Sequence, residues 1–318
     1  MPTTVVTGAA GFIGSHVVRA LLDRGERVVA IDDFNDYYDP AIKRRNVAPL
    51  LGRENFRLVE SDIRDEEKMR EEFVGADRVI HLAARAGVRP SLKLRDLYMD
   101  TNVNGTKSVL AASREAGVKS AVIASSSSVY GERTDGGPFK ETDALEEPRS
   151  PYAESKQRME AYAESFSKEK DLPINCLRFF TVYGPRQRPD MAIARFVEAI
   201  AVGRPIVLYG DGSVRRDFTY VDDIVQGVLA AADTPHAEGW RVYNLGESST
   251  VSVSEVIHVI EKALGKEAVI RLEPTQQGDV SFTFADIARA KEELGYDPKT
   301  PIENGIKKYV DWFHARSA

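Results

Sequence analysis

The chain has 318 residues, 42% of them hydrophobic, and a formal net charge of −6. This length suits one large domain or two interlocked ones with a sizeable core, and the charge favours neither nucleic acid nor an anionic membrane as partner. The single cysteine, Cys176, excludes an internal disulfide and a cysteine metal cluster. It reads as a small buried hydrophobe in an apolar run, and no metal site is expected.

In chain order, a strand at 3–7 leads through a glycine-rich turn into a helix at 12–24, stopped by Gly25. Its start carries no charged or long apolar leader, and no stretch reaches the ~18 apolar residues of a membrane span, so a cytoplasmic location is expected. Strands follow at 27–31, 56–60, 78–81, 121–124 and 175–180, with helices at 66–73, 97–116 and 151–170. This alternation predicts an α/β fold, a Rossmann-type doubly wound parallel sheet with helices on both faces. Beyond residue 180 the pattern is less regular. Gly- and Pro-rich loops at 183–190 and 209–212 precede a strand at 241–245, a helix at 254–264, a strand at 269–272 and helices at 286–294 and 302–313. With no repeat and no linker, a smaller C-terminal α/β lobe interwoven with the first domain is expected.

The first turn reads Thr7-Gly8-Ala9-Ala10-Gly11-Phe12-Ile13-Gly14. Gly8 permits the sharp turn, Gly11 lets backbone approach a pyrophosphate, and Gly14 allows close helix–strand packing. Free amides at the helix start then face the phosphates. Asp32 ends the second strand, where it can accept from a ribose diol, and with Asp33 it repels a 2′-phosphate, which favours NAD over NADP. Asp62 and Ile63 can hold the adenine, and Leu82-Ala83-Ala84 can pass close to the cofactor.

Ser150 and Pro151 are a helix N-cap and first-turn residue. They place Tyr152 and Lys156 one turn apart on one helix face. A phenol titrates near ~10, and a neighbouring ammonium with a cationic nicotinamide favours its ionised form. Such a pair can take the proton from a sugar hydroxyl while hydride leaves the same carbon. The run Ser125-Ser126-Ser127-Ser128 at a strand's C-terminal end puts hydroxyls where ligands bind in an open parallel sheet.

On these motifs the chain resembles the extended short-chain dehydrogenase/reductase family. Asn102-Val103-Asn104-Gly105-Thr106, Tyr183-Gly184-Pro185, Arg216-Asp217-Phe218, Tyr243-Asn244-Leu245-Gly246 and Gly278-Asp279 extend the likeness along the chain. Within that family it is similar to the nucleotide-sugar 4-epimerases. The resemblance implies Tyr152, Lys156 and Ser126 as catalytic residues and NAD as a tightly bound cofactor. It adds Asn35 and Asn102 to the cofactor contacts, and it implies a UDP-sugar substrate and a homodimer formed through 97–116 and 151–170. Related dehydratases carry an Asp-Glu pair where Ser127 and Ser128 stand, and UDP-xylose synthases carry Glu in place of Ser128. The runs 34–39 and 183–192 and Gln276-Gln277-Gly278-Asp279 resemble UDP-glucuronate 4-epimerases.

The implied substrate residues are Ser127, Ser128, Thr181, Arg186, Arg216 and Asp279. Arg186 is taken for the C6 carboxylate because a guanidinium fork matches it, and Arg216 and Asp279 for the diphosphate and uridine ribose. Residues 1–180 with 219–247 are then expected as the NAD domain, and 181–218 with 248–318 as the substrate lobe. UDP-glucose 4-epimerase, UDP-glucuronate decarboxylase and a non-catalytic NAD-binding protein remain the alternatives.

Overall fold

The computed structural model describes residues 1–133, 136–236, 239–274 and 282–316. The first half runs β1 Thr3–Thr7, α1 Phe12–Asp23, β2 Arg27–Asp32, α2 Pro40–Val47, β3 Phe56–Glu60, α3 Glu66–Glu72, β4 Arg78–His81, α4 Val88–Ser91, α5 Arg95–Met99, α6 Gly105–Glu115, β5 Ser120–Ser126, α7 Pro151–Lys170 and β6 Ile174–Phe179. The second half runs β7 Thr181–Tyr183, α8 Ala192–Ala201, β8 Ile206–Tyr209, β9 Arg215–Arg216, β10 Phe218–Tyr220, α9 Val221–Asp233, β11 Trp240–Leu245, β12 Val251–Ser252, α10 Val253–Leu264, β13 Ile270–Glu273, α11 Ala288–Leu294 and α12 Ile302–Ala315.

Seven strands form one sheet in the order β11-β6-β5-β4-β1-β2-β3, parallel at every pairing. Successive strand residues point to opposite faces, so the two halves of each Val-Val or Val-Ile pair feed different cores. Val6, Ile80, Val122 and Leu177 join α1 and α9 on one side. Val5, Val79, Ile123 and the free thiol of Cys176 join α3, α6 and α7 on the other. Strand order reverses between β1 and β4, which opens a crevice at the strands' carboxyl ends.

Three features differ from the sequence expectation. β5 runs to Ser126, because its ladder with β6 continues through Ser125↔Arg178 and Ser126↔Phe179. The helix expected at 97–116 comprises α5 and α6 joined by a π-helical turn over Asp100–Asn104. α8 and α9 were unpredicted amid the Gly- and Pro-rich loops, yet each has an apolar stripe at helical spacing: Ile193, Phe196, Val197 and Ile200 in α8, and Val221, Ile224, Val225 and Val228 in α9.

After β6 the chain leaves the sheet, and β11 brings it back. Outside the sheet, β7 pairs with β10, β8 with β13, and β9 with β12. Asp217, wholly buried, ties these returns together. Its carboxylate accepts from the amides of Glu247 at 2.7 Å, Ser248 at 3.2 Å and Ala285 at 3.1 Å, and from the Thr219 hydroxyl at 3.1 Å. Burial pushes its pKa up to about 6 against the opposing pull of those hydrogen bonds. Phe139 bridges to Ala285, and Asn244 donates to the carbonyls of Phe139 at 2.9 Å and Asp286 at 3.1 Å.

Candidate active site

The crevice holds a cavity of about 510 Å³ lined from both halves of the chain. Its floor is the turn between β1 and α1. Gly8 sits at φ +68°, where L side chains are strained, and a Cβ on it would lie 2.7 Å from the Ala83 amide. A Cβ on Gly14 would lie 2.1 Å from the Gly8 carbonyl oxygen, so the helix start can approach the turn only without a side chain. Gly8, Gly11, Phe12, Ile13 and Gly14 all line the cavity.

At the end of β2, Asp32 is buried. One of its oxygens accepts from the Ala10 amide at 3.0 Å, and the other from the Phe34 amide and Lys43 Nζ, each at 3.0 Å. Lys43, on α2, also lies 3.5 Å from Asp33. Asp33, Asn35, Tyr37, Tyr38 and Lys43 line the same wall. Sequence reading missed Lys43, although Asp39 capping α2 through the Ala41 amide and Pro40 in its first turn were legible signals.

Asp62 and Ile63 line the far end. Arg64 holds the Asp62 carboxyl below its usual range by hydrogen bonding.

Leu82, Ala83 and Ala84 form the opposite wall. Behind them lies a chain of hydrogen bonds. The Thr106 hydroxyl donates to the Asn102 carbonyl at 2.6 Å and so faces His81 Nε2, 3.0 Å away, as an acceptor; His81 Nδ1 is 2.7 Å from the Thr7 hydroxyl. The network assigns the neutral Nε2–H tautomer to His81, in accord with burial, which lowers its pKa to about 3. Asn102 does not line the cavity. In the π-turn its amide is spent on the Arg85 N–H at 2.8 Å, the Arg85 carbonyl at 3.0 Å and the Ser155 hydroxyl at 2.9 Å. It braces the wall from behind, contrary to the expected cofactor contact.

α7 starts as expected, with the Ser150 hydroxyl accepting from the Ala153 amide at 3.1 Å. Tyr152 and Lys156 both face the cavity, beside Ser126, Ser127 and Ser128 at the end of β5. Burial raises the Tyr152 pKa, while a hydrogen bond with Ser126 and the charge of Arg188 oppose the rise. Ser126 and Arg188 thus act on the phenol beside Lys156, the group expected from the sequence. The Lys156 ammonium donates to the Ala124 carbonyl at 2.7 Å, and burial lowers its pKa to about 8. The Ser128 hydroxyl is buried without a hydrogen-bond partner among the described residues, as for a group that waits for a ligand.

Thr181 and Arg216 line the remaining wall. Arg186 does not. Its backbone takes φ +65°, and its guanidinium points away to the Ser15 carbonyl and hydroxyl, each at 3.4 Å. Arg188, two positions on, faces the cavity instead. It lines the cavity, forms a two-pronged pair with Asp190 at 2.9 Å and 2.9 Å, and lies 5.5 Å from the Tyr37 ring centroid. Asp279 lies outside the described residues.

The arrangement can move a proton at an alcohol and can cradle a dinucleotide along the Gly8–Gly14 turn. A family model, the NAD dependent epimerase/dehydratase family, matches residues 4–246. The chain belongs to the NAD dependent epimerase/dehydratase family. Among members of this family, UDP-glucuronate 4-epimerase 4 of Arabidopsis thaliana is 43% identical over 331 residues, covering 98% of this chain and 75% of the relative. The solved UDP-glucuronic acid 4-epimerase from Bacillus cereus, in complex with UDP-glucuronic acid and NAD, superposes with a TM-score of 0.92 at 36% identity over 99% of each chain. UDP-glucose 4-epimerase from Thermotoga maritima, with UDP-glucose, gives a TM-score of 0.91 at 34% identity over 99% of this chain and 100% of the other.

Proposed function

We propose that this chain is an NAD-dependent isomerase that inverts C4 of UDP-glucuronate to give UDP-galacturonate. The cavity residues fit NAD. The cradle at Gly8 and Gly14 has no room for a Cβ, and the turn's amides with Asp32, Asp33, Asn35, Asp62, Ile63 and the 82–84 wall would hold the dinucleotide. Bound NAD supplies the hydride acceptor and donor that reversible oxidation of C4 needs. Tyr152 takes the proton from the 4-hydroxyl and later returns it, and Ser126 hydrogen-bonds the same oxygen. Lys156 holds positive charge near the phenol. Arg216 anchors the diphosphate, so that the sugar can present either face at C4.

The observation that carries the choice of sugar is Arg188, a guanidinium set in the cavity wall close enough to act on Tyr152. It replaces Arg186 as the partner of the C6 carboxylate, with Thr181, Ser127 and Ser128, whose hydroxyl has no partner among the described residues, lining the same cavity. A 4-keto uronate is a β-keto acid that can lose CO2. Holding its carboxylate keeps the breaking bond poorly aligned with the ketone. Products of UDP-glucuronate, UDP-glucose and UDP-N-acetylglucosamine, incubated separately with the purified protein, test the reading. UDP-galacturonate is expected; UDP-xylose with CO2, or preference for UDP-glucose, would overturn it.

The same reading takes residues 1–180 with 219–247 as the NAD domain and 181–218 with 248–318 as the substrate lobe. It pairs two copies through 97–116 and 151–170, that is α5, α6 and α7, in the cytoplasm, and Leu92 and Leu94, between α4 and α5, are exposed. Sedimentation equilibrium checks the dimer. No helix among the described residues is long and apolar enough to cross a membrane.

A further inference from the structure

Lys156 presents a problem the epimerase reading does not solve. Its ammonium is buried, with residue exposure of only 3%, and burial penalises the charged form. Something must hold the proton there at neutral pH.

The groups facing it are few. His81 of β4 is neutral, as its hydrogen bonds require. From β6 comes Cys176; Arg178 of β6 and Tyr130 of the turn after β5 lie beyond it, against Glu160 and each other, and Tyr98 of α5 meets Tyr152 edge-on at 6.2 Å. Burial raises both the Cys176 thiol and the Tyr130 phenol, so both are neutral where Lys156 titrates. Opposing the effect of burial on Lys156 are Cys176 and Glu160. With the thiol neutral, Glu160 is the one anion among the described residues acting on it.

Glu160 sits one turn along α7 on the same buried face. It is clamped: Arg178 Nε donates at 3.1 Å and Nη2 at 2.7 Å, and the Ser125 hydroxyl donates to the same carboxylate. Arg178 in turn lies 4.7 Å from the Tyr130 ring centroid, and Tyr130 donates to Asn244 at 2.6 Å. The side chains of Glu160 and Arg178 are 6% and 5% exposed. An ion pair this deep is a poor device for stability alone, since apolar residues of similar volume often do as well.

We propose that Glu160, fixed by Arg178 and Ser125, is a positioning residue that keeps the Lys156 ammonium protonated and so sets the alkaline limit of catalysis. This rests on the Tyr152/Lys156 reading above. Glu160→Gln preserves shape but removes the charge. The double variant Glu160→Gln/Arg178→Met removes both charges and covers the case in which an unpaired Arg178 prevents folding.

The experiment uses the NAD-loaded protein labelled with 13C at lysine Cε, with the Lys156 signal assigned by its loss in Lys156→Met. The pH titration of that signal is measured beside the pH profile of kcat on UDP-glucuronate. Relative to the unaltered protein, both midpoints are expected to fall by about one pH unit in Glu160→Gln, and in the same direction but by less in the double variant, where loss of the Arg178 cation offsets part of the effect. An unmoved Lys156 midpoint, with or without a drop in kcat, would overturn the proposal. A Tyr152→Phe protein that keeps full turnover would instead sink the dyad reading, while the Lys156 titration still decides the part played by Glu160.

Discussion

At the scale of single residues, two arginines separated by one position have opposite fates. Arg186 adopts a left-handed backbone and turns to Ser15 of α1, whereas Arg188 enters the cavity with Asp190 as its counter-ion. A charge-assisted hydrogen bond contributes about 1.5–3 kcal/mol, so Arg188→Met should lower kcat/KM for UDP-glucuronate roughly 10- to 100-fold. UDP-glucose turnover should change far less, and Arg186→Met should spare the ratio between the two sugars. Side-by-side kinetics would decide, and equal losses on both sugars in Arg188→Met would refute the assignment. Lys43 makes a second residue-level case. Lys43→Met leaves Asp32 with two backbone donors and no cation, so NAD retention after gel filtration should fall while the far-UV spectrum is unchanged.

At the scale of elements, the approach of α1 to β1 rests on Gly14. A methyl there would meet the Gly8 carbonyl oxygen at 2.1 Å, which forces backbone apart. Overpacking of this kind costs about 1–3 kcal/mol. Gly14→Ala should therefore lower the melting temperature and weaken NAD binding together; a variant that loses stability but binds NAD normally would separate the two roles.

This turn was legible because its chemistry is local: a strand, glycines at fixed offsets, then a helix. The same holds for Ser150, Pro151, Tyr152 and Lys156 on α7, and for the six strands of the first half. What sequence could not yield depends on distant segments. Whether Arg186 or Arg188 faces the cavity depends on the chain's path between β7 and α8. Lys43 reaches Asp32 only because α2 folds back over the end of β2. The Asn102 amide looked like a ligand contact until the π-turn placed it against Arg85.

At the scale of the whole molecule, two histidines are held as neutral rings, His81 buried and His16 partly so. Burial lowers His81 to about 3 and His16 to about 4, from an ordinary value of 6.5. The unfolded chain therefore binds protons that the folded one refuses. Their stabilising effect is complete above pH 6.5 and is lost as pH falls through about 4 for His16 and about 3 for His81. With both rings contributing, the slope approaches about 2.7 kcal/mol per pH unit. Urea denaturation between pH 7 and pH 4.5 should show stability falling with acid, and His81→Gln should flatten the fall by about half. A slope unchanged in that variant would show that carboxylates govern acid unfolding.

The knot around Asp217 bears on the order of synthesis. Ala285 supplies one of its amide donors, Phe139 exchanges backbone hydrogen bonds with Phe284 at 2.7 Å and Asp286 at 2.9 Å, and Asn244 on the sheet's last strand bonds Asp286 as well. A ribosome that has delivered only the family-defining stretch up to residue 246 has supplied β11 and its ladder partner β6, but not yet Ala285 and Asp286, which tie Asp217, Phe139 and Asn244 together. The seven strands are complete at that point, and the knot that closes over their end must wait for some forty further residues. Nascent chains arrested before residue 284 should accordingly remain protease-sensitive, whereas those arrested late enough to expose residue 286 beyond the exit tunnel should acquire resistance in a single step.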